Sequence, residues 1–231
     1  QLPIPEPKLE IDRVLVPSTG IMDAAGYVKA YATYLESRGV TIILNCRVTG
    51  ISDAEIETTR GPIPFDLAIN CAGLWCDEIA AMTGLTGYTV RPCRGDYFSV
   101  NKKLFDRPVY HLPVKDSHGL GLHVTPTFDG QTLIGPNDFF IEKKDDYQHR
   151  SSAKDFEESL KYYFQYSQFQ THYPSPITIS QSGNRPKLFK NNQPVPDFTF
   201  IKHKNWVHCL GIESPGLTAA PAVGRYVGTL I

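Results

Sequence analysis

The backbone best suited to chemistry in this chain lies at Gly211-Ile-Glu-Ser-Pro-Gly216. The apolar run Trp206 to Leu210 reads as a buried strand, and Leu217 to Leu230, rich in small residues, reads as a helix. The segment between them is then a strand-to-helix turn. Its spacing places Ser214 as the N-cap and Pro215 as the first helical residue, with Gly211 and Gly216 leaving the backbone bare. The first amides of a helix point beyond its end and carry about half a positive charge, so the turn favours an anion. The same spacing also describes an ordinary capped surface helix that contains two glycines. Both readings stay open on physical grounds.

Other signals exclude more than they assign. Gly119-Leu-Gly121 contains Gly-x-Gly but lacks a third glycine, sits among strands and precedes no helix, so it is rejected as a dinucleotide site. Cys46, Cys71, Cys76, Cys93 and Cys209 form no CxxC pair, which argues for reduced thiols and against a zinc site. The 231 residues are 41% hydrophobic and 20% charged, enough for one good core or two small ones. Lys and Arg number 23 against 24 Asp and Glu, without the basic stripe that nucleic acid requires. No run reaches the roughly 20 apolar residues of a membrane span, and the first residues lack the pattern of a signal peptide, so a cytoplasmic location is expected. The start at Gln1 rather than Met suggests a piece of something longer.

The elements that must position the turn are readable in outline. Asp23 can cap a helix from about 24 to 38, with Ala24, Val28, Tyr31, Ala32 and Leu35 at helical spacing and Gly39 at the C-cap. Val40–Asn45, Arg47–Ile51, Ala54–Thr59 and Pro64–Asn70 read as strands, the last running through Asn70-Cys-Ala-Gly-Leu-Trp75 into a helix from Cys76 to Thr83. From Thr89 to about Ile141, aromatic and β-branched runs between Pro, Gly and Asp predict an antiparallel sheet: Tyr97–Val100, Val109–Tyr110, Leu120–Thr125 and Thr132–Ile134. A covering helix is expected from about Ala153 to Tyr166.

The stretch Gly211 to Gly224 resembles the C-terminal flavin-contacting segment of L-2-hydroxyglutarate oxidases and dehydrogenases, within the D-amino-acid-oxidase type of FAD-dependent oxidoreductase. Further segments agree in order: Val16–Asp23, Asn70–Gly73, Arg94–Phe98, Leu120–Gly130, Leu133–Asn137 and Arg185–Leu188. The family opens with a Gly-x-Gly-x-x-Gly segment holding the ADP half of FAD, and no such segment is found in this sequence. Asn184 also departs from the aliphatic residue usual there.

The resemblance implies oxidation of a 2-hydroxy acid, with a hydride passing to the flavin and a protein base taking the hydroxyl proton. It nominates His123 as that base, although a structural histidine bridging strands fits the position equally well. Arg94, Arg185 and Lys187 are the candidates for gripping substrate carboxylates, each with a plain ion pair as the alternative. Tyr97, Tyr110, His111 and Thr125 are candidates for the same pocket, against a core role. For the cofactor it implies Asn70, Ala72, Gly73, Gly211, Ile212, Glu213, Ser214, Pro215, Gly216, Leu217 and Thr218, with Cys71 as a packed thiol and no metal.

The expected architecture is mixed α/β. An incomplete FAD-binding layer is expected from residues 14–85 and 186–231. A substrate region with a mostly antiparallel sheet and covering helices is expected from 1–13 and 86–185. Three functions fit: part of an L-2-hydroxyglutarate-type enzyme, a related flavoenzyme acting on glycerol 3-phosphate or a small amino acid, or a non-catalytic ligand-binding or subunit protein. Self-association or a partner supplying the dinucleotide-binding segment is expected, because a flavin-side face left open would be apolar.

Overall fold

The computed structural model describes residues 16–110, 121–157 and 177–231. Its helices are α1 (Ala24–Ser37), α2 (Cys76–Met82) and α3 (Gly216–Gly228). The strands are β1 (Val48–Ile51), β2 (Glu55–Thr58), β3 (Ile63–Pro64), β4 (Ala68–Asn70), β5 (Tyr88–Val100), β6 (Val109–Tyr110) and β7 (His123–Pro126). They continue with β8 (Thr132–Gly135), β9 (Phe139–Phe140), β10 (Thr178–Lys190), β11 (Gln193–Pro194), β12 (Thr199–His203) and β13 (Trp206–Leu210). The fold is mixed α/β.

The chain divides into two units, and β5 and β10 each run from one into the other. The first unit comprises Gln1–Asp23, Arg94–Phe139 and Asp146–Gly183, and the second Ala24–Cys93, Phe140–Asp145 and Asn184–Ile231.

In the first unit the C-terminal half of β5 pairs with β8, β8 with β7 and β7 with β6, all antiparallel. One face of this sheet carries Phe98, Val100, Val124 and Ile134 into a core with Leu104, Phe105, Leu122 and Phe156. Burying each such side chain contributes about 1.5–3 kcal/mol. Residues 153–157 are helical, and the rest of the expected 153–166 helix lies outside the described residues.

In the second unit β4, β13 and β12 form a three-stranded sheet, β4 parallel to β13 and β12 antiparallel to it. All five residues of β13 are buried. A separate antiparallel meander, β1-β2-β3, precedes β4. The aspartate Asp77 of α2 accepts the Val90 amide at 2.8 Å and the Lys144 ammonium at 2.7 Å, which pins α2 to the start of β5.

Four expectations change. Val40–Asn45 is not a strand, because among the described residues no backbone ladder pairs with it. Pro64–Asn70 is two strands, since the chain leaves the meander after Pro64 and joins β13 only from Ala68. The strands β10 and β12 lie where the sequence showed no clear pattern. Ser214 is not the N-cap of α3: Pro215 occupies that position with non-helical angles of −96° and 39°, no side chain caps the helix, and α3 starts one residue later.

Candidate active site

Strand register builds a row of polar groups on the first unit's sheet. Tyr110 faces His123 across β6 and β7, His123 faces Gly135 across β7 and β8, and the Phe98–Ile134 pair of β5 and β8 sets Tyr97 beside Gly135 one step on. Directly opposed residues point to the same face of a sheet, and the neighbours Val109, Val124, Ile134 and Phe98 all point to the core. Tyr97, His123 and Tyr110 therefore share the other face, and Thr125, two residues along β7, joins them. His123 and Thr125 are half-buried and Tyr110 is exposed. The rings of Tyr110 and His123 lie 5.3 Å apart.

Gly135 is the bare position in this row. Its φ is +136°, and a Cβ there would meet the Asp96 carbonyl oxygen at 2.8 Å and Tyr97 Cδ1 at 2.9 Å. Only glycine lets Tyr97 and His123 flank the strand so closely.

Alternation along β5 sends Arg94 and Asp96 to the face opposite Tyr97. Both are fully buried. The Arg94 guanidinium donates to the carbonyl oxygens of Asp146 and Gln148 and sits 3.7 Å from Asp96. Asp96 in turn accepts Ser182 Oγ at 2.6 Å, Ser151 Oγ at 2.7 Å and the amides of Arg150 and Ser151 at 3.0 Å. Burial opposes ionisation of this carboxyl, yet the hydrogen bonds from Ser182, the Arg150 amide and Ser151 together hold its pKa below the ordinary value. Arg94, expected with Tyr97 in a substrate pocket, is instead the clamp that holds residues 146–151 against β5.

In the second unit the turn between β13 and α3 presents an uncapped helix end. The first turn of α3 carries no acidic side chain. The first hydrogen bond from this helix start runs from the Ala219 amide to the Pro215 carbonyl, so the amides of Leu217 and Thr218 have no acceptor within the helix. Gly211, at φ +66°, packs so closely on Leu188 that a Cβ would lie 2.8 Å from it.

Arg185 and Lys187 share one face of β10 by alternation. Lys187 Nζ donates to Glu213 Oε1 at 2.8 Å, which ties β10 to the turn. Arg185 has a buried guanidinium nitrogen with no hydrogen-bond partner. Such a group carries a desolvation cost that a bound anion would offset.

Asn70 orders the nearby Ala72–Gly73 turn. It is buried, accepts the Ala72 amide at 3.1 Å, donates to the Cys76 carbonyl at 2.8 Å and bonds His208 Nδ1 at 3.0 Å. His208 also meets Thr83 Oγ1 at 3.2 Å and stacks on Trp206. Burial, with the neighbouring His203, lowers the His208 pKa to about 4, so the ring is neutral. Cys71 is exposed, not packed, because it lies just beyond the last paired residue of β4.

The structure thus brings Tyr97, Tyr110, His123 and Thr125 together, and separately Arg185, Lys187 and the 211–218 turn. His111 lies outside the described residues. Asp96 and Gly135 lie inside the resembling segments but, like His208, receive no role from the sequence, because a lone aspartate, histidine or glycine on a strand carries no spacing signal. Among the described residues no cluster of His, Cys, Asp and Glu could hold a metal ion, and no helix is long and apolar enough to cross a membrane.

The family model for FAD dependent oxidoreductases (DAO) matches residues 3–230. The chain belongs to this family. It is 27% identical over 253 residues to L-2-hydroxyglutarate dehydrogenase of Escherichia coli, which covers 93% of this chain and 60% of that protein. It is also 27% identical over 217 residues to glycerol 3-phosphate dehydrogenase of Caloramator mitchellensis, covering 90% of this chain and 43% of the relative. Among solved structures, L-α-glycerophosphate oxidase from Mycoplasma pneumoniae with FAD bound superposes with a TM-score of 0.69 and 25% identity, over 85% of this chain and 53% of that one. The chain therefore spans about half of the length of the proteins it matches. The second unit's donors fit the DAO family's flavin: free amides at a helix start, a bare Gly211 and the unpartnered Arg185 nitrogen suit an anionic, ring-bearing group.

Proposed function

We propose that this chain is the C-terminal part of an FAD-dependent enzyme that oxidises L-2-hydroxyglutarate to 2-oxoglutarate. The observation that carries the reading is the Tyr97–Gly135–His123–Tyr110 row, an imidazole between two phenols on one sheet face, in a DAO-family chain. Similarity to L-2-hydroxyglutarate dehydrogenase over 93% of the chain supports the choice of substrate.

In this reading the first unit carries the substrate chemistry. A nitrogen of the His123 imidazole accepts the substrate hydroxyl proton, Tyr97 and Tyr110 orient the ring from either side, and Thr125 donates to a substrate oxygen. The Arg94–Asp96 clamp keeps β5 rigid behind them. FAD, when bound, supplies the acceptor for the hydride leaving the substrate carbon. The second unit holds that cofactor through the backbone of Ala72–Gly73 and of Gly211–Thr218, including Ile212, Ser214, Pro215 and Gly216, with Asn70 ordering the first of these turns. Glu213 fixes Lys187, and Arg185 is the unit's anion-binding group. An exposed apolar face on α1 takes either a second copy or a segment bearing the dinucleotide fingerprint.

A second reading, oxidation of glycerol 3-phosphate, is favoured by the Caloramator relative and the Mycoplasma structure. Product identification separates them. The full-length protein supplied with an artificial electron acceptor should form 2-oxoglutarate from L-2-hydroxyglutarate. Dihydroxyacetone phosphate from glycerol 3-phosphate, with L-2-hydroxyglutarate unconsumed, would transfer the assignment to the second reading.

A further inference from the structure

Cys71 and Cys209 have no part in the roles above. The parallel register of β4 and β13 sets Ile69 beside Val207 and Asn70 beside His208, so its next step sets Cys71 beside Cys209. Adjacent strands run about 4.8 Å apart, within the roughly 4.4–6.8 Å Cα separation that a disulfide needs. Alternation fixes the direction. Asn70 and His208 bond each other side chain to side chain, so they share one face. Cys71 and Cys209 then share the other, where Cys209 packs with Val207 and Val227. The two thiols are near enough for each to shift the other's ionisation. Access differs sharply: Cys71 is exposed, whereas Cys209 is 3% exposed.

We propose that Cys71 and Cys209 form a peroxide-oxidisable thiol pair, in which Cys71 reacts first and Cys209 resolves the product as an intramolecular disulfide. The Cys71 thiolate attacks one oxygen of hydrogen peroxide, the O–O bond breaks, and a sulfenic acid forms as hydroxide leaves to become water. The Cys209 sulfur, giving up its proton, attacks the Cys71 sulfur, the S–O bond breaks, and a second water departs. Two thiols lose two electrons and two protons, and one peroxide becomes two waters. Cys209, as donor toward the Cys71 thiolate, brings the Cys71 thiol down to about 7, while that donor role and burial push the Cys209 thiol up. Attack and resolution thus fall to different sulfurs. The disulfide would tether the start of the Ala72–Gly73 turn to β13.

The test treats the full chain with equimolar hydrogen peroxide, blocks free thiols in acid and maps peptides without reduction. The expected result is one linked pair joining Cys71 to Cys209, with Cys46, Cys76 and Cys93 recovered as blocked thiols. Alkylation against pH should give Cys71 a midpoint near 7 that climbs toward the ordinary thiol value of about 8.5 in Cys209→Ala. A Cys71 stopped at sulfenic or sulfinic acid beside a free Cys209, or linked to any other thiol, would overturn the proposal. Because the mapping uses the unaltered chain, a poorly folded variant does not blunt it.

Discussion

The two units dispose of their apolar surface in opposite ways and bury different polar groups. The first closes a core upon itself, with Val100 and Ile134 fully buried, and places an ion cluster, Arg94 with Asp96, in its interior. The second leaves α1 without a single buried residue, Val28 at 55% and Tyr34 at 58% exposure, and buries a neutral network of Asn70, His208 and Thr83. Helical periodicity in α1 thus records a face meant for burial, whether or not its partner lies among the described residues. The buried polar groups also give each unit its own response to acid and to substitution.

Asp96→Ala should break the contrast most severely. It strands the Arg94 guanidinium in the interior and frees Ser151 and Ser182, at a cost of about 3–5 kcal/mol. Amide exchange in β5, β7 and β8 should accelerate first, while the fluorescence of Trp75 and Trp206, the two tryptophans of the protein and both in the second unit, changes later. Simultaneous loss of both signals would mean that the units do not respond separately.

Acid sharpens the same comparison. His208 binds its proton more weakly in the folded state, at about 4, than unfolded, near 6.5. Between those values the unfolded chain holds the extra proton, so the second unit loses stability as pH falls from about 6.5 to about 4, by a few kcal/mol at most. Asp96 responds with the same sign in a lower window, a depressed carboxyl whose contribution is complete above about pH 4 and disappears only as pH falls further, through its folded pKa. Denaturant titrations followed by Trp206 fluorescence should show the earlier decline, and His208→Asn should flatten it. An unchanged slope in that variant would remove His208 from the account.

The smallest effect concerns the exposed face of α1. The isolated chain should self-associate with rising concentration, and Val28→Lys with Leu35→Glu should weaken that association in sedimentation velocity. A monomer at every concentration would show that the face is tolerated bare.

Local patterning made α1, β13 and α3 legible, since each has a clean period or an unbroken apolar run. It failed for β10, whose thirteen residues include Gly183 and Pro186 and bury mainly toward the Lys187 end. It also overcounted Val40–Asn45, because β propensity names a candidate but only a hydrogen-bonded neighbour makes a strand. For the site, residue types pointed to Tyr97, Tyr110, His123 and Thr125, but their assembly into one face depends on cross-strand register. Arg94 shows the converse: one residue of parity along β5 moves it from the open face to the interior.

The central claim is that His123, set in its row by Gly135, is the proton-accepting group. The most direct measurement is steady-state oxidation of L-2-hydroxyglutarate by the full-length protein and its His123→Gln variant, with folding checked by Trp fluorescence. The account predicts a fall in kcat of about 10²–10⁴-fold in the folded variant; a variant that keeps near-normal kcat would contradict it.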